Sequence, residues 1–252
     1  MIAGLRPLLL FTFAACASAQ AQTAATPANA GAPAPAPAPA SSAKTADDSV
    51  ADIMNDPAVP MLKKAYALIT SAKPDYDAAL PLVDEAVKNN PKSFAALTLR
   101  GMIYSQKKQW TSAENDFNAA LVYDPGNMVV KFNLAELKFL QKQYAEARTR
   151  FEPLVKDKGM GDFARYKVFL CDLFGGNEIA AKQTLDSWDE ETGPSFFWGT
   201  AAWDIVHKNP EDARSWIASA IRIFPPAQNN FYAQSLLDLG YLPLPPAPAP
   251  AT

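Results

Sequence analysis

Few side chains in this sequence could do chemistry, and their spacing does not favour it. His207 is the only histidine, which excludes a multi-histidine zinc cage and a two-histidine proton relay. A serine–histidine–carboxylate set would have to be built on His207, which falls near a turn and reads as a solvated surface side chain. Cys171 would need a base beside it to become a thiolate. Lys167, one helical turn earlier, is the nearest, and Asp172 opposes it, so the cysteine reads as a small buried apolar group. Asp189, Glu190 and Glu191 lack the spacing of a calcium loop, and Gly175-Gly176 lacks the lysine of a phosphate loop. No catalytic residue, cofactor or metal ligand is assigned, and an enzyme is not expected.

The bulk properties narrow the function further. The formal net charge is −3 and the sequence pI about 5.3, so the basic footprint that nucleic acid demands is missing. Residues 1–19 carry one basic residue (Arg6), an apolar run from Leu8 to Ala15 and the small-residue end Ala17-Ser18-Ala19. That is the pattern of a secretory signal peptide. Phe13-Ala14-Ala15-Cys16 also resembles a lipoprotein box, which would make Cys16 a lipidation site and the mature N-terminus. Either version implies export, with the bacterial periplasm as the expected destination and a periplasm-facing outer-membrane lipoprotein as the alternative. Residues 20–56 are rich in Ala and Pro and read as an extended linker; 243–252 read as a disordered tail of the same kind.

Between these ends the sequence repeats itself. Ala79, Ala113, Ala147 and Ala181 are 34 residues apart, and Ala213 follows after 32. Tyr76, Trp110 and Tyr144 keep the same step, as do Phe117, Phe151 and Leu185, and Ile217 follows after 32. Within one unit, 94–127, Gly101 and Tyr104 share a helix face, and Ala113, Phe117 and Ala120 form the apolar stripe of a second helix. Thr111 with Glu114 reads as a capping box starting that second helix, and Asp124-Pro125-Gly126 stops it. A helical pair cannot cover its apolar face alone, so such units must stack.

Gly101, Tyr104, Ala113, Phe117, Ala120 and Pro125 resemble the pattern of a tetratricopeptide repeat (TPR), with Leu97 in place of its usual tryptophan and Arg100 where leucine is commonest. The resemblance implies an all-α fold: a helix-turn-helix solenoid of about five TPR-like repeats over 57–242. A C-terminal capping helix, Phe231 to Leu239, is expected to end at Gly240.

The resemblance also implies a concave groove lined by the first helix of each unit. Carried over by register, its third-, fourth- and fifth-unit positions include Phe132, Glu136, Phe139, Phe163, Tyr166, Leu170, Phe174 and Trp198. A patch this apolar needs a cover. One reading is a trough for a partner's extended segment or amphipathic helix. The other is that the chain's own curvature or its C-terminal helix buries it. The two combine if that helix occupies the trough until a partner displaces it. The expected function is a non-catalytic protein-interaction scaffold in the bacterial envelope, with another protein or peptide as partner. Two alternatives remain: a lipid-anchored assembly factor for outer-membrane or pilus components, and an accessory subunit of a periplasmic enzyme.

Overall fold

The computed structural model describes residues 58–71 and 73–243. The expected signal peptide, Cys16, the linker and all but the first residue of the tail lie outside them. Five helical hairpins follow one another: α1 (Val59–Thr70) with α2 (Tyr76–Asn89), α3 (Phe94–Gln106) with α4 (Trp110–Tyr123), α5 (Met128–Leu140) with α6 (Tyr144–Phe151), α7 (Gly161–Phe174) with α8 (Glu178–Asp186), and α9 (Pro194–Val206) with α10 (Pro210–Ile223). A single helix, α11 (Pro226–Asp238), closes the array. The second helices begin at 76, 110, 144, 178 and 210, the period read from the alanines. The described residues contain no strand.

The repeating small residues let paired helices approach. Ala79, Ala113, Ala147, Ala181 and Ala213 are all fully buried. Gly101 is tighter still: a Cβ there would come within 2.7 Å of the Phe117 ring. The apolar stripes join into one buried band whose two halves meet on α5. Val130, Leu134 and Leu137 face the N-terminal half; Phe132, Ala135 and Phe139 face the C-terminal half.

Four hairpins turn on the same backbone device. Lys108, Lys142, Gly176 and Lys208 all have positive φ (58°, 60°, 81° and 64°), and each is followed by an amide that reaches back five residues. These contacts run from Gln109 to Tyr104, Gln143 to Lys138, Asn177 to Asp172 and Asn209 to Asp204, at 2.8 to 2.9 Å. They are helix-terminating left-handed turns. Gly240 (φ 81°) ends α11 identically, with Tyr241 N–H bonding to Leu236 at 2.8 Å. The first hairpin cannot use the device, because proline, whose φ is locked near −65°, stands at 74.

Two local expectations are corrected. Thr111 does not cap α4: the helix starts at Trp110, with Gln109 at the cap position and no side-chain cap bond. The left-handed Lys108 turn has already delivered the chain into the helix. The C-terminal helix starts five residues earlier than expected, at Pro226, because a proline at the first helical position gives up no hydrogen bond. Asp75 caps α2, its carboxylate accepting from Ala78 N–H at 2.8 Å.

Candidate binding groove

The groove positions lie on α5, α7 and α9, and the structure brings them together under a cover. Phe132, Phe139, Phe163, Tyr166, Leu170 and Trp198 are buried, as is Glu136. Phe174 is partly exposed. The cover over α7 and α9 is α11. Phe231 packs against Phe163 at a tilt (centroids 3.8 Å), Tyr232 meets it edge-on at 5.3 Å, and Tyr232 lies 4.9 Å from Tyr166. Beyond the left-handed Gly240, Tyr241 stacks on Phe174 at 4.9 Å and 15°. Contacts therefore advance from 163 to 174 as the covering chain advances from 231 to 241. The C-terminal segment runs parallel to α7 along its length.

The start of α11 is pinned by polar contacts that the sequence did not signal. Trp198 Nε1–H donates to Asn229 Oδ1 at 3.0 Å. The Asn229 amide in turn donates to the Ala220 and Phe224 carbonyls at 3.0 and 2.8 Å. Ser195 Oγ–H donates to Tyr232 Oη at 3.3 Å, and Tyr166 Oη–H to the Tyr232 carbonyl at 3.4 Å. Burial raises the Tyr166 and Tyr232 hydroxyls above the usual phenol range, so both remain neutral.

An ion pair is set among these aromatics. Lys167 Nζ lies 2.8 and 2.7 Å from the two Glu136 carboxylate oxygens. The lysine side chain is 1% exposed, and its ammonium sits over the Phe139 ring at 4.3 Å and the Phe163 ring at 5.5 Å. Burial raises the Glu136 carboxyl, the Lys167 charge pulls it back, and the Asp238 charge raises it again. Lys167 is thus a structural cation and does not activate Cys171. Burial pushes that thiol up to about 12, which leaves it inert near neutral pH. Opposite charges at 136 and 167, 31 positions apart on the first helices of neighbouring hairpins, were the available sequence signal.

Toward the N-terminal half, two polar side chains at first-helix positions have no internal partner. Thr98 Oγ1 on α3 and Asn133 Nδ2 on α5 are buried without a hydrogen-bond partner within the protein. Buried polar groups are almost always paired, so each such atom calls for an explanation. His207, expected as solvated, is more engaged than that. Nδ1 lies 2.8 Å from the Trp203 carbonyl, Nε2 lies 2.5 Å from Glu178 Oε1, and the ring stacks on Trp203 at 4.1 Å. With an acceptor at both nitrogens, the imidazole is held above its usual pKa, led by the Trp203 carbonyl and then Glu178. Among the described residues, no helix is long and apolar enough to cross a membrane. No group of three or more His, Cys, Asp and Glu residues there could hold a metal ion.

Comparison with known proteins places this architecture. Two family profiles, both described as tetratricopeptide repeat, match residues 104–167 and 72–127. Human mitochondrial import receptor subunit TOM70 is 35% identical over 94 residues, which is 36% of this chain and 15% of that receptor's length. A tetratricopeptide repeat protein from Parabacteroides merdae superposes with a TM-score of 0.58 at 15% identity, over 76% of this chain and 75% of the other. Pseudomonas aeruginosa pilF superposes with a TM-score of 0.51 at 16% identity, over 72% of this chain and 90% of that one. At these identities the two structures speak for the fold alone.

Proposed function

This chain is a tetratricopeptide-repeat protein, a protein–protein interaction scaffold, and from that premise we propose that it is a non-catalytic adaptor of the bacterial envelope. It holds a partner segment against the concave face formed by its first helices. The single observation that carries this reading is the run of five stacked hairpins that matches the tetratricopeptide-repeat pattern. The Ala/Pro-rich stretch before the repeats would serve as a tether from an anchoring point, and the apolar start of the chain, Met1 to Ala19, supports export. Lipidation at Cys16 would turn the adaptor into a membrane-anchored assembly factor.

The test is photo-crosslinking in the native cell, with the crosslinker at Gln106 on the first-helix face and, as control, at the exposed Ile179 on the outer side. A partner captured from Gln106 and not from Ile179 supports the adaptor. Capture from Ile179 alone would move the binding face to the second helices and end this reading. The intact mass of the purified chain then reports whether it begins at Cys16 with acyl chains attached or further on without them.

A further inference from the structure

The C-terminal segment occupies α7 unevenly. Its first half is held by Asn229 and by the aromatic pair Phe231–Tyr232, as described above. Its second half is poorly matched to the same surface. Ser235 is 1% exposed, and its hydroxyl has no partner. Gln234 Oε1 is likewise buried and unpaired. Asp238 sits in the last turn of α11, where the helix dipole already disfavours an anion. Its field reaches the buried Glu136 carboxylate with the same sign. A buried hydroxyl left without a partner weakens the docked state by roughly five- to a hundredfold. The resident helix therefore fits less tightly than this surface allows.

We propose that the α7 face is a helix-binding surface which α11 holds in reserve, and that its exchange partner is an amphipathic helix of another protein. That helix repeats the Phe231–Tyr232 and Leu236 contacts but places an apolar residue at the register of Ser235. At the register of Asp238 it carries a neutral or basic residue. The inference rests on the adaptor reading and deepens it by stating the chemistry of one partner. The first half of α11 remains as the cap of the fifth hairpin, while the second half yields. The occupant would gain what α11 lacks: an apolar contact in place of the stranded hydroxyl, and relief of the like-charge opposition at Glu136.

The experiment uses the full chain in three forms: native, Ser235→Ala with Asp238→Asn, and Tyr232→Ala. The probe is a fluorescein-labelled peptide of the 226–242 sequence carrying the Ser235→Ala and Asp238→Asn changes. Hydrogen exchange should show residues 234–242 of the native chain opening at least tenfold more often than α9, and the double variant should slow that opening about tenfold. By fluorescence anisotropy, the peptide should bind the native chain, bind the double variant about tenfold more weakly, and bind Tyr232→Ala more tightly.

Three results would overturn the proposal. One is α11 exchanging only together with α7 and α9 in the native chain and the double variant. Another is equal peptide affinity for those two forms, which would put the site elsewhere. The third is a concentration-dependent dimer of the native chain that the double variant abolishes, which would make the occupant a second copy. The double variant keeps the size of both side chains, and the amide it places at 238 can still accept from Gln234 Nε2 as Asp238 does at 2.7 Å, so it is expected to fold and the test survives if Tyr232→Ala does not. Capture from Gln106 on α3 is scored separately, so failure here and failure of the adaptor reading are distinguishable.

Discussion

Replacing Lys167 by methionine should expose how the α5–α7 contact is balanced. The substitution keeps the length and packing of the side chain but removes the only charge opposite Glu136 at 2.7 to 2.8 Å. Breaking a buried ion pair on one side costs about 3–5 kcal/mol, because an uncompensated charge remains. A helical array of this size shifts its melting point by roughly 2–4 °C per kcal/mol, so Lys167→Met should melt about 6–20 °C lower near pH 8. The pH dependence carries the sign. Without Lys167 the Glu136 carboxyl, already raised by burial, rises further. A raised acid binds its proton in the native state before it does so in the unfolded chain. Stability is therefore regained as pH falls through the raised native value toward the ordinary glutamate range near 4.3, so the deficit should shrink as pH is lowered. The double variant Glu136→Leu with Lys167→Met should match the native chain or exceed it. Thermal unfolding followed by circular dichroism at pH 5, 6, 7 and 8 is sufficient. A deficit under about 1 kcal/mol at pH 8, or one that stays flat with pH, would mean that the pair is not desolvated as the structure has it.

Three further outcomes follow from the geometry. His207 bridges the end of α9 to Glu178 at the start of α8, with its pKa raised. Its stabilising contribution is complete below the unfolded value near 6.5 and is lost as pH rises through the folded one. NMR titration should find His207 above 6.5, and Glu178→Gln should lower that value. Gly199→Ala would put a Cβ 2.6 Å from the Trp188 ring. Overpacking of about 1–3 kcal/mol, less about 1 kcal/mol of gained helix propensity, predicts a net loss of up to about 2 kcal/mol, read by urea denaturation. Cys171, buried with its thiol pushed up to about 12, should resist iodoacetamide at pH 8 in the native chain. It should react in urea at the rate of a free cysteine.

The repeating part of this fold was legible because its signal is short-ranged and multiplied. A small residue must stand where two helices touch, so five buried alanines reported five hairpins. The departures from the pattern were less legible, because their causes lie elsewhere in the chain. Arg100 occupies a position where leucine is usual. Its guanidinium reaches Asp116 at 2.7 and 2.8 Å and Asp84 at 3.2 Å, tying α3 to α4 and α2. Three of the left-handed turn residues are lysines, a residue type that carries no signal for positive φ. The early end of α6 was in plain view: Pro153 follows Phe151 by two residues and turns the chain into the short 3-10 segment Glu152–Lys156. Register alone named the groove residues. Register offered the C-terminal helix as one of several covers but could not choose it, because the choice depends on contacts such as Tyr166 with Tyr232, 66 positions away.

That separation has a consequence in time. A chain made from its N-terminus completes α7, α8, α9 and α10 before any of 225–242 exists. Their contacts are between neighbours, and local contacts form fastest. At about five to twenty residues per second, the last stretch takes roughly one to four seconds to synthesise. For that interval Phe163 and Tyr166 have their neighbouring helices but not Phe231 and Tyr232. The newly made protein passes through a stage in which its most aromatic surface is complete and bare, and anything that binds there meets no competitor until the final residues emerge.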